Sequence, residues 1–358
     1  MAAMPIFDHP DHDNHERILF GHDAASGMRA IIAIHDRTLG PGVGGCRIRA
    51  YPSETEALTD LLRLSRAMTY KSALAEIPLG GAKMVVLADP ERDKSPELLH
   101  AVGRLVDDLG GRYVTAEDAG MTTADLHAVA ETTSHVVGIR DEAPSPGRRH
   151  RATISASTAY GVFAGIRAAA AHRLGSQSLD GVRVALQGLG SAGWKLGEHL
   201  HGAGARLYVA DTDPERAEAA VQAWGAERVA PEAIHTQPVE IFAPCAMGGV
   251  INDTTVDELR CAIVAGAANN QLARPEHAEA LRQRSILYAP DYAINAGGII
   301  EVAYEIRQDT DPERLRGHLD RIGATLQRIF ERADAAGAPT AEVADALAEE
   351  RLRAGTVV

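Results

Sequence analysis

The sequence predicts a two-domain α/β protein: an N-terminal α/β domain, then a domain built on a doubly wound parallel sheet. Three observations carry this. Apolar residues switch between strand-like and helical spacing along most of the chain. A stretch of turn formers and charges without periodicity, IRDEAPSPGRRHRAT at 139–153, interrupts that alternation and reads as a linker. The 358 residues suffice for two cores of ordinary size.

Before the linker, RAIIAIHD (29–36) and GCRIRAY (45–51) have the composition of strands, joined through the glycine-rich turn LGPGVGG (39–45). SETEALTDLLRLSRAMTYK follows as a helix. Ser53 and Glu56 make a capping box, and Leu58, Leu61, Leu62 and Met68 supply the apolar stripe. KMVVLAD (83–89) is the next strand, PELLHAVGRLVDDL (96–109) a helix, and RYVTAED (112–118) a strand ending on carboxylates before a helix at 122–131. Beyond the linker the rhythm is stricter: helix 155–172, strand VRVALQ, helix 192–203, strand RLYVA, helix 213–224, then short strands at EIFAP, AIVAGA and ILYAP. Strands interleaved with helices imply the parallel sheet. The last 45 or so residues are helical and amphipathic.

Composition narrows the function classes. A net charge of −13 argues against nucleic acid or an anionic membrane as the main partner. No apolar run approaches the ~20 residues of a spanning helix. MAAMPIFDHPDHDNHE lacks the basic-then-apolar order of a secretory signal. Cys46, Cys245 and Cys261 are too few and scattered for a disulfide framework or a zinc clip; Cys46 and Cys245 read as small core residues. The expectation is a soluble cytoplasmic protein. His9, His12 and His15, interleaved with acids, read as a solvated tail, and no metal is assigned.

The first chemical signal is GLGSAG (188–193), which follows strand VRVALQ and opens a helix. Gly188 permits the tight turn, Gly190 lets backbone approach a pyrophosphate, and Gly193 allows close helix-to-strand packing, with the phosphate at the helix N-terminus. Asp211 ends the next strand, 18 residues after Gly193, where an acid would accept bonds from an adenine-ribose. Its charge would repel a 2′-phosphate, which favours NAD over NADP.

The second signal is IPLGGAKMVVLADP (77–90), where a lysine opens a buried run. Lys71 and Lys83, each beside small residues, can share a narrow cleft. Repulsion and desolvation would then lower the pKa of at least one ammonium from ~10.4 towards ~7–8. Asp118, at a strand end, could join in proton transfer. The alternative is that both lysines snorkel from element ends.

These stretches, with TLGPGVGG, RLSRAMTYK, GGRYVTAEDAG, STAYGV, FAPCAMGG, AGAANNQL and YAPDYAINAGGII, resemble the Glu/Leu/Phe/Val dehydrogenase superfamily, nearest its leucine dehydrogenase branch, from about residue 27 to about 305. IPLGGAKMVVLADP satisfies every position of the active-site signature, with Ala82 where many leucine-type members carry glycine. The resemblance implies that Lys71 binds the substrate α-carboxylate, Lys83 activates a water and stabilises the carbinolamine oxygen, and Asp118 shuttles a proton to and from the substrate nitrogen. It implies that Thr158 contacts the nicotinamide carboxamide, and that Asn269, Asn270 and Asn295 hold nicotinamide and substrate. Ser191 and Ala192 complete the cofactor turn, where relatives often show Asn-Val.

The implied reaction is reversible oxidative deamination with NAD. The implied architecture is a substrate and oligomerisation domain (1–140 plus about 330–358) and an NAD domain (141–329) separated by a cleft, in a homo-oligomer. SPGRRHRATISAS (145–157) departs from the family, and its Arg148, Arg149, His150 and Arg151 read as solvent-facing.

Leu39, Gly44, Met68, Ala116, Val137, Ile299 and Val302 correspond to positions around the side-chain pocket, where glutamate-specific relatives place a basic residue and a hydroxyl. All are apolar here, and a buried γ-carboxylate against them would be unpaired at a cost of several kcal/mol. An apolar substrate is expected: leucine, valine or isoleucine. Phenylalanine or tryptophan is the alternative, and a non-catalytic NAD-binding regulator a further one.

Overall fold

The computed structural model describes residues 6–139 and 154–355, so most of the linker, with Arg148 to Arg151, lies outside the described residues. The chain divides into two compact units. One comprises described residues up to 139, Glu305–Asp309 and those from Glu349 on; the other comprises 154–304 and Thr310–Ala348. Of the C-terminal stretch expected in the first unit from about residue 330, the part from Glu349 on belongs to it, as does Glu305–Asp309 before it.

The first unit is a five-stranded mixed sheet: β1 (Arg17–Asp23), β2 (Met28–Asp36), β3 (Gly42–Arg49), β4 (Gly80–Leu87) and β5 (Tyr113–Glu117), in the order β1-β2-β4-β3-β5. β2 is antiparallel to both β1 and β4, while β3 runs parallel to β4 and β5. Helix α1 (Glu54–Leu74) covers one face, and α2 (Pro96–Asp107) and α3 (Thr123–Ala130) the other. The period-two alternation of β4 sorts its side chains between them. Ala82, Met84 and Val86 pack with Leu98, Val102 and Leu126, whereas Val85 packs with Ala57 and Leu61. Lys83, two residues before Val85, therefore stands on the α1 face.

Three local expectations need correction. β3 begins at Gly42, inside the stretch read as a turn, because glycines in that segment pair with Gly80 and Tyr113. The capping box at α1 is half formed: Ser53 Oγ accepts from Glu56 N at 3.2 Å, whereas Thr122 and Asp125 make the full reciprocal box on α3. Finally, the N-terminal histidines are not solvated. His9 and His15 are 6% and 8% exposed. His9 Nε2 lies 3.1 Å from Thr59 Oγ1, and His15 Nε2 lies 3.0 Å from Ser65 Oγ and 3.2 Å from the Leu62 carbonyl oxygen, all on α1. His35 Nδ1 meets Thr69 Oγ1 at 2.8 Å, and its ring packs edge-on against His15.

Burial, reinforced by His35, holds His15 down at about 4. Burial also lowers His35, against the opposing pull of Asp13 and Asp36. Above about pH 6.5 these rings are neutral in folded and unfolded chain alike. Below it the unfolded chain takes up protons that the buried rings refuse, so stability should fall from pH 6.5 down to about pH 4. Melting curves are expected to show this loss, and His15→Asn should make it shallower. An unchanged slope in that variant would remove His15 as a contributor.

The second unit contains α4 (Ile154–Leu174), β6 (Arg183–Gln187), α5 (Ser191–Gly202), β7 (Arg206–Ala210), α6 (Pro214–Trp224), β8 (Glu227–Arg228), β9 (Ile241–Pro244), α7 (Thr255–Glu258), β10 (Ile263–Val264), α8 (Glu276–Gln283), β11 (Leu287–Tyr288) and α9 (Asp291–Ile294). α10 (Gly297–Ile306), α11 (Pro312–Ala336) and α12 (Thr340–Ala354) follow, α10 and α12 each ending in the first unit. The sheet is wholly parallel, β11-β10-β9-β6-β7-β8, with β6 near its centre, so the turn after β6 lies at the carboxyl edge where such sheets bind ligands. In the first unit, the last turn of α12 closes back on α1. Arg351 donates to the Ala73 and Leu74 carbonyl oxygens at 3.0 and 2.8 Å and to Glu76 at 2.6 Å, occupying acceptors that the helix end leaves open. Among the described residues no helix is long and apolar enough to cross a membrane.

Candidate active site

Lys83 is 6% exposed in the middle of β4, and its ammonium is ion-paired with the Asp118 carboxylate just beyond β5. β3 lies between these two strands, and its glycines make the pairing possible. A side chain at Gly44 would collide with the Ala82 carbonyl, and a Cβ at Gly45 would stand 2.7 Å from Asp118 Cβ. With both absent, lysine and aspartate reach each other across β3. Tyr113, fully buried, donates to the Gly44 carbonyl oxygen at 2.9 Å and so fixes that backbone.

Burial alone would raise the Asp118 carboxyl. The Lys83 ammonium and then Arg47 outweigh it and hold it down at about 2. Arg47 escaped the sequence reading. It sits on β3 with Nη2 3.4 Å from Asp118 Oδ1 and Nη1 2.8 Å from Asp60 Oδ2, and Tyr51 donates to that same Asp60 oxygen at 2.7 Å. An arginine inside an otherwise buried strand was the available signal. Its partners lie on α1 and beyond β5, out of reach of local spacing.

Lys71 occupies the last turn of α1, half-buried, with Met68 one turn back. Leu39 and Val137 are buried in loops of the same unit, and Val137 N donates to the Thr115 carbonyl oxygen at 2.9 Å. Ala116 pairs with Gly45, next to Gly44, so these two pocket positions are neighbours. Cys46 is buried, and burial pushes its thiol up to about 12.

The remaining predicted residues fall in the second unit. Gly188 adopts φ +90°, and a Cβ there would stand 2.7 Å from that of Ala246. A side chain at Gly193 would overlap the Gly188 carbonyl. Gly190, at the N-cap of α5, has open space where its side chain would be and no side-chain cap. Ser191 and Ala192 form the first helical turn, and Ser191 Oγ meets Lys195 Nζ at 3.2 Å. Asp211 ties the next strand to this turn, accepting from Leu189 N at 2.6 Å and Asp213 N at 2.8 Å. Leu189, Gly190, Ser191, Trp194, Lys195 and Arg216 line an open groove of about 380 Å³. At Gly190 the backbone lies open at the positive end of a helix dipole, with Lys195 and Arg216 in the same groove, and this fits a dinucleotide pyrophosphate.

Asn295, 5% exposed, donates to Asn269 Oδ1 at 2.8 Å, so these two are together. Asn270 takes a left-handed conformation, φ +51°, and its N–H donates to Asp291 Oδ2 at 2.7 Å. Thr158 lies on α4, its Oγ1 donating to the Ile154 carbonyl oxygen, and a Cβ at Gly298 of α10 would come within 2.9 Å of that Oγ1. Ile299 and Val302 are buried on α10. Cys245 is half-buried beside the glycine turn rather than in a core, its thiol raised by burial to about 12.

Two family models match the chain: Glu/Leu/Phe/Val dehydrogenase, dimerisation domain, over residues 15–135, and Glutamate/Leucine/Phenylalanine/Valine dehydrogenase over residues 214–354. The chain is similar to the leucine dehydrogenase of Geobacillus stearothermophilus, 45% identical across 98% of this chain and 94% of that one. It is similar to the L-tryptophan dehydrogenase of Nostoc punctiforme, 44% identical across 98% and 96%. The crystal structure of L-tryptophan dehydrogenase from Nostoc punctiforme superposes with a TM-score of 0.81, covering 96% of this chain and 97% of that one at 43% identity.

Proposed function

Because the chain belongs to the Glu/Leu/Phe/Val dehydrogenase family, we propose that it catalyses the reversible oxidative deamination of an apolar L-amino acid to its 2-oxo acid and ammonium, using NAD, with leucine, valine and isoleucine as preferred substrates. The pair of buried Lys83 and half-buried Asp118 carries this reading, because a carboxylate held ionised against an ammonium can receive and return protons at a substrate nitrogen.

Each residue has a role in this reading. Lys71 receives the α-carboxylate and fixes the orientation of the amino acid. Lys83 moves a proton at the attacking water and steadies the oxygen that develops charge on the substrate carbon. Asp118 exchanges a proton with the substrate nitrogen. Leu39, Gly44, Met68, Ala116, Val137, Asn270, Ile299 and Val302 surround the side chain. The dinucleotide, when bound, supplies the hydride acceptor. Gly188, Gly190, Ser191, Ala192 and Gly193 hold its phosphates, Asp211 its ribose, and Thr158, Asn269 and Asn295 its nicotinamide. The Asp211 charge disfavours a 2′-phosphate, so NAD is preferred to NADP.

A kinetic screen tests the proposal. Leucine, valine or isoleucine should give the highest kcat/KM. Glutamate should lie about 10³-fold below, the equivalent of about 4 kcal/mol for an unpaired buried carboxylate. NADP should be the poorer cofactor. The near-equal identity to an L-tryptophan dehydrogenase favours a second reading with an aromatic substrate, and a higher kcat/KM for tryptophan or phenylalanine would select it. Dinucleotide binding without turnover on any amino acid would point instead to a non-catalytic binding protein. In this reading the protein is a cytoplasmic homo-oligomer, supported by an N-terminal family model described as a dimerisation domain, and light scattering would give the number of subunits.

A further inference from the structure

We infer that Arg47 is a positioning residue for the reaction: together with Asp60 and Tyr51 it forms a fixed arm that aims the Asp118 carboxylate at the substrate nitrogen. This rests on the function proposed above.

Four charged groups are gathered on the first unit. Lys83 pairs with Asp118, Arg47 with both Asp118 and Asp60, and the four side chains are 8%, 17%, 15% and 22% exposed in the order Lys83, Asp118, Arg47, Asp60. Charges alternate along the row, so buried Lys83 and its half-buried neighbours each face an opposite charge. The two ends of the arm differ in tightness. Arg47 Nη1 and Tyr51 Oη both reach Asp60 Oδ2, at 2.8 and 2.7 Å, which pins the guanidinium to α1. Its contacts to Asp118 are both longer, 3.4 Å from Nε to Oδ2 and 3.4 Å from Nη2 to Oδ1. Nε has no aligned hydrogen bond of its own.

The guanidinium, held firmly by Asp60, supplies a fixed positive field beside Asp118, whose Oδ1 also accepts from Ala119 N at 2.7 Å, so the carboxylate keeps one orientation against Lys83. Burial works against the Arg47 charge, but Asp118 and then Asp60 more than offset it. Arg47 in turn is the second-largest influence keeping the Asp118 carboxyl low, after Lys83.

The test compares wild type, Arg47→Gln, Arg47→Lys and Asp60→Asn in leucine oxidation, with carboxyl titration of Asp118 by NMR as a readout besides activity. Arg47→Gln should lower kcat about 100-fold, the scale of one proton-transfer contribution, while KM for leucine stays within about threefold. The acid limb of kcat/KM and the Asp118 titration should both move up by about one pH unit. Arg47→Lys should recover most of kcat, and Asp60→Asn should show a smaller shift in the same direction. Circular dichroism and thermal melting report the folded fraction; if Arg47→Gln does not fold, the Lys and Asn variants carry the comparison. Activity losses that follow the folded fraction alone, with limb and titration unmoved, would reduce Arg47 to a packing role and overturn the inference. Wild-type protein inactive on every amino acid would instead defeat the proposed function.

Discussion

Lys83→Ala is expected to lower kcat by about 10³-fold or more while leaving NADH binding within about threefold, since the dinucleotide cradle lies on the other unit. The loss has two sources. The variant removes the group proposed to handle the attacking water, and it strips Asp118 of its closest cation. Among cations Asp118 then keeps only the longer Arg47 contacts, and its carboxyl should rise because Lys83 is the largest of the influences lowering it. Lys83→Met, which keeps the chain length and fills the space under α1, separates these effects: it should restore packing without restoring turnover. Steady-state kinetics with NADH fluorescence titration on the same samples would decide. Turnover within tenfold of wild type in either variant would remove Lys83 from the mechanism.

The second large effect is expected at Gly193. A methyl group there meets the Gly188 carbonyl, which is backbone and cannot swing aside as a long side chain would. Gly193→Ala must therefore open the turn that Gly188 shapes at φ +90°. Affinity for NADH is expected to fall about 100-fold, or about 3 kcal/mol. Gly190→Ala is the control, because nothing stands within 4 Å of its missing side chain. Its effect reports crowding by the ligand itself. Equal, small losses in both would mean that the turn does not carry the phosphates.

The proposed dinucleotide half was legible because its signals are local. Gly188, Gly190 and Gly193 lie within one turn, and Asp211 at the end of the next strand accepts from the Leu189 N–H of that turn. Lys83 and Asp118 were legible as well, one behind two glycines and the other at a strand end, although 35 residues separate them. Their meeting depends on β3 threading between, and no single stretch records it. Arg47 shows the limit: a basic residue in a strand reads alike whether it faces water or two carboxylates. The histidine segment fails for the same reason, since the α1 groups that bury His9 and His15 lie 50 residues away, at Thr59, Ser65 and Leu62. β1 was missed because RILFGHD is an edge strand, with an exposure pattern too shallow for apolar alternation.

The Arg351 contacts bear on how this protein can be dissected. The helix bearing Lys71 has its final carbonyls closed by a residue near the far terminus of the chain, so the first unit is not encoded by one uninterrupted stretch. A fragment stopping at 139 would expose those oxygens, and trimming a handful of residues from the tail would loosen Lys71, the proposed anchor for the substrate carboxylate, from a distance. Affinity tags and proteolytic nicks at that end should therefore register as a raised KM before they register anywhere else.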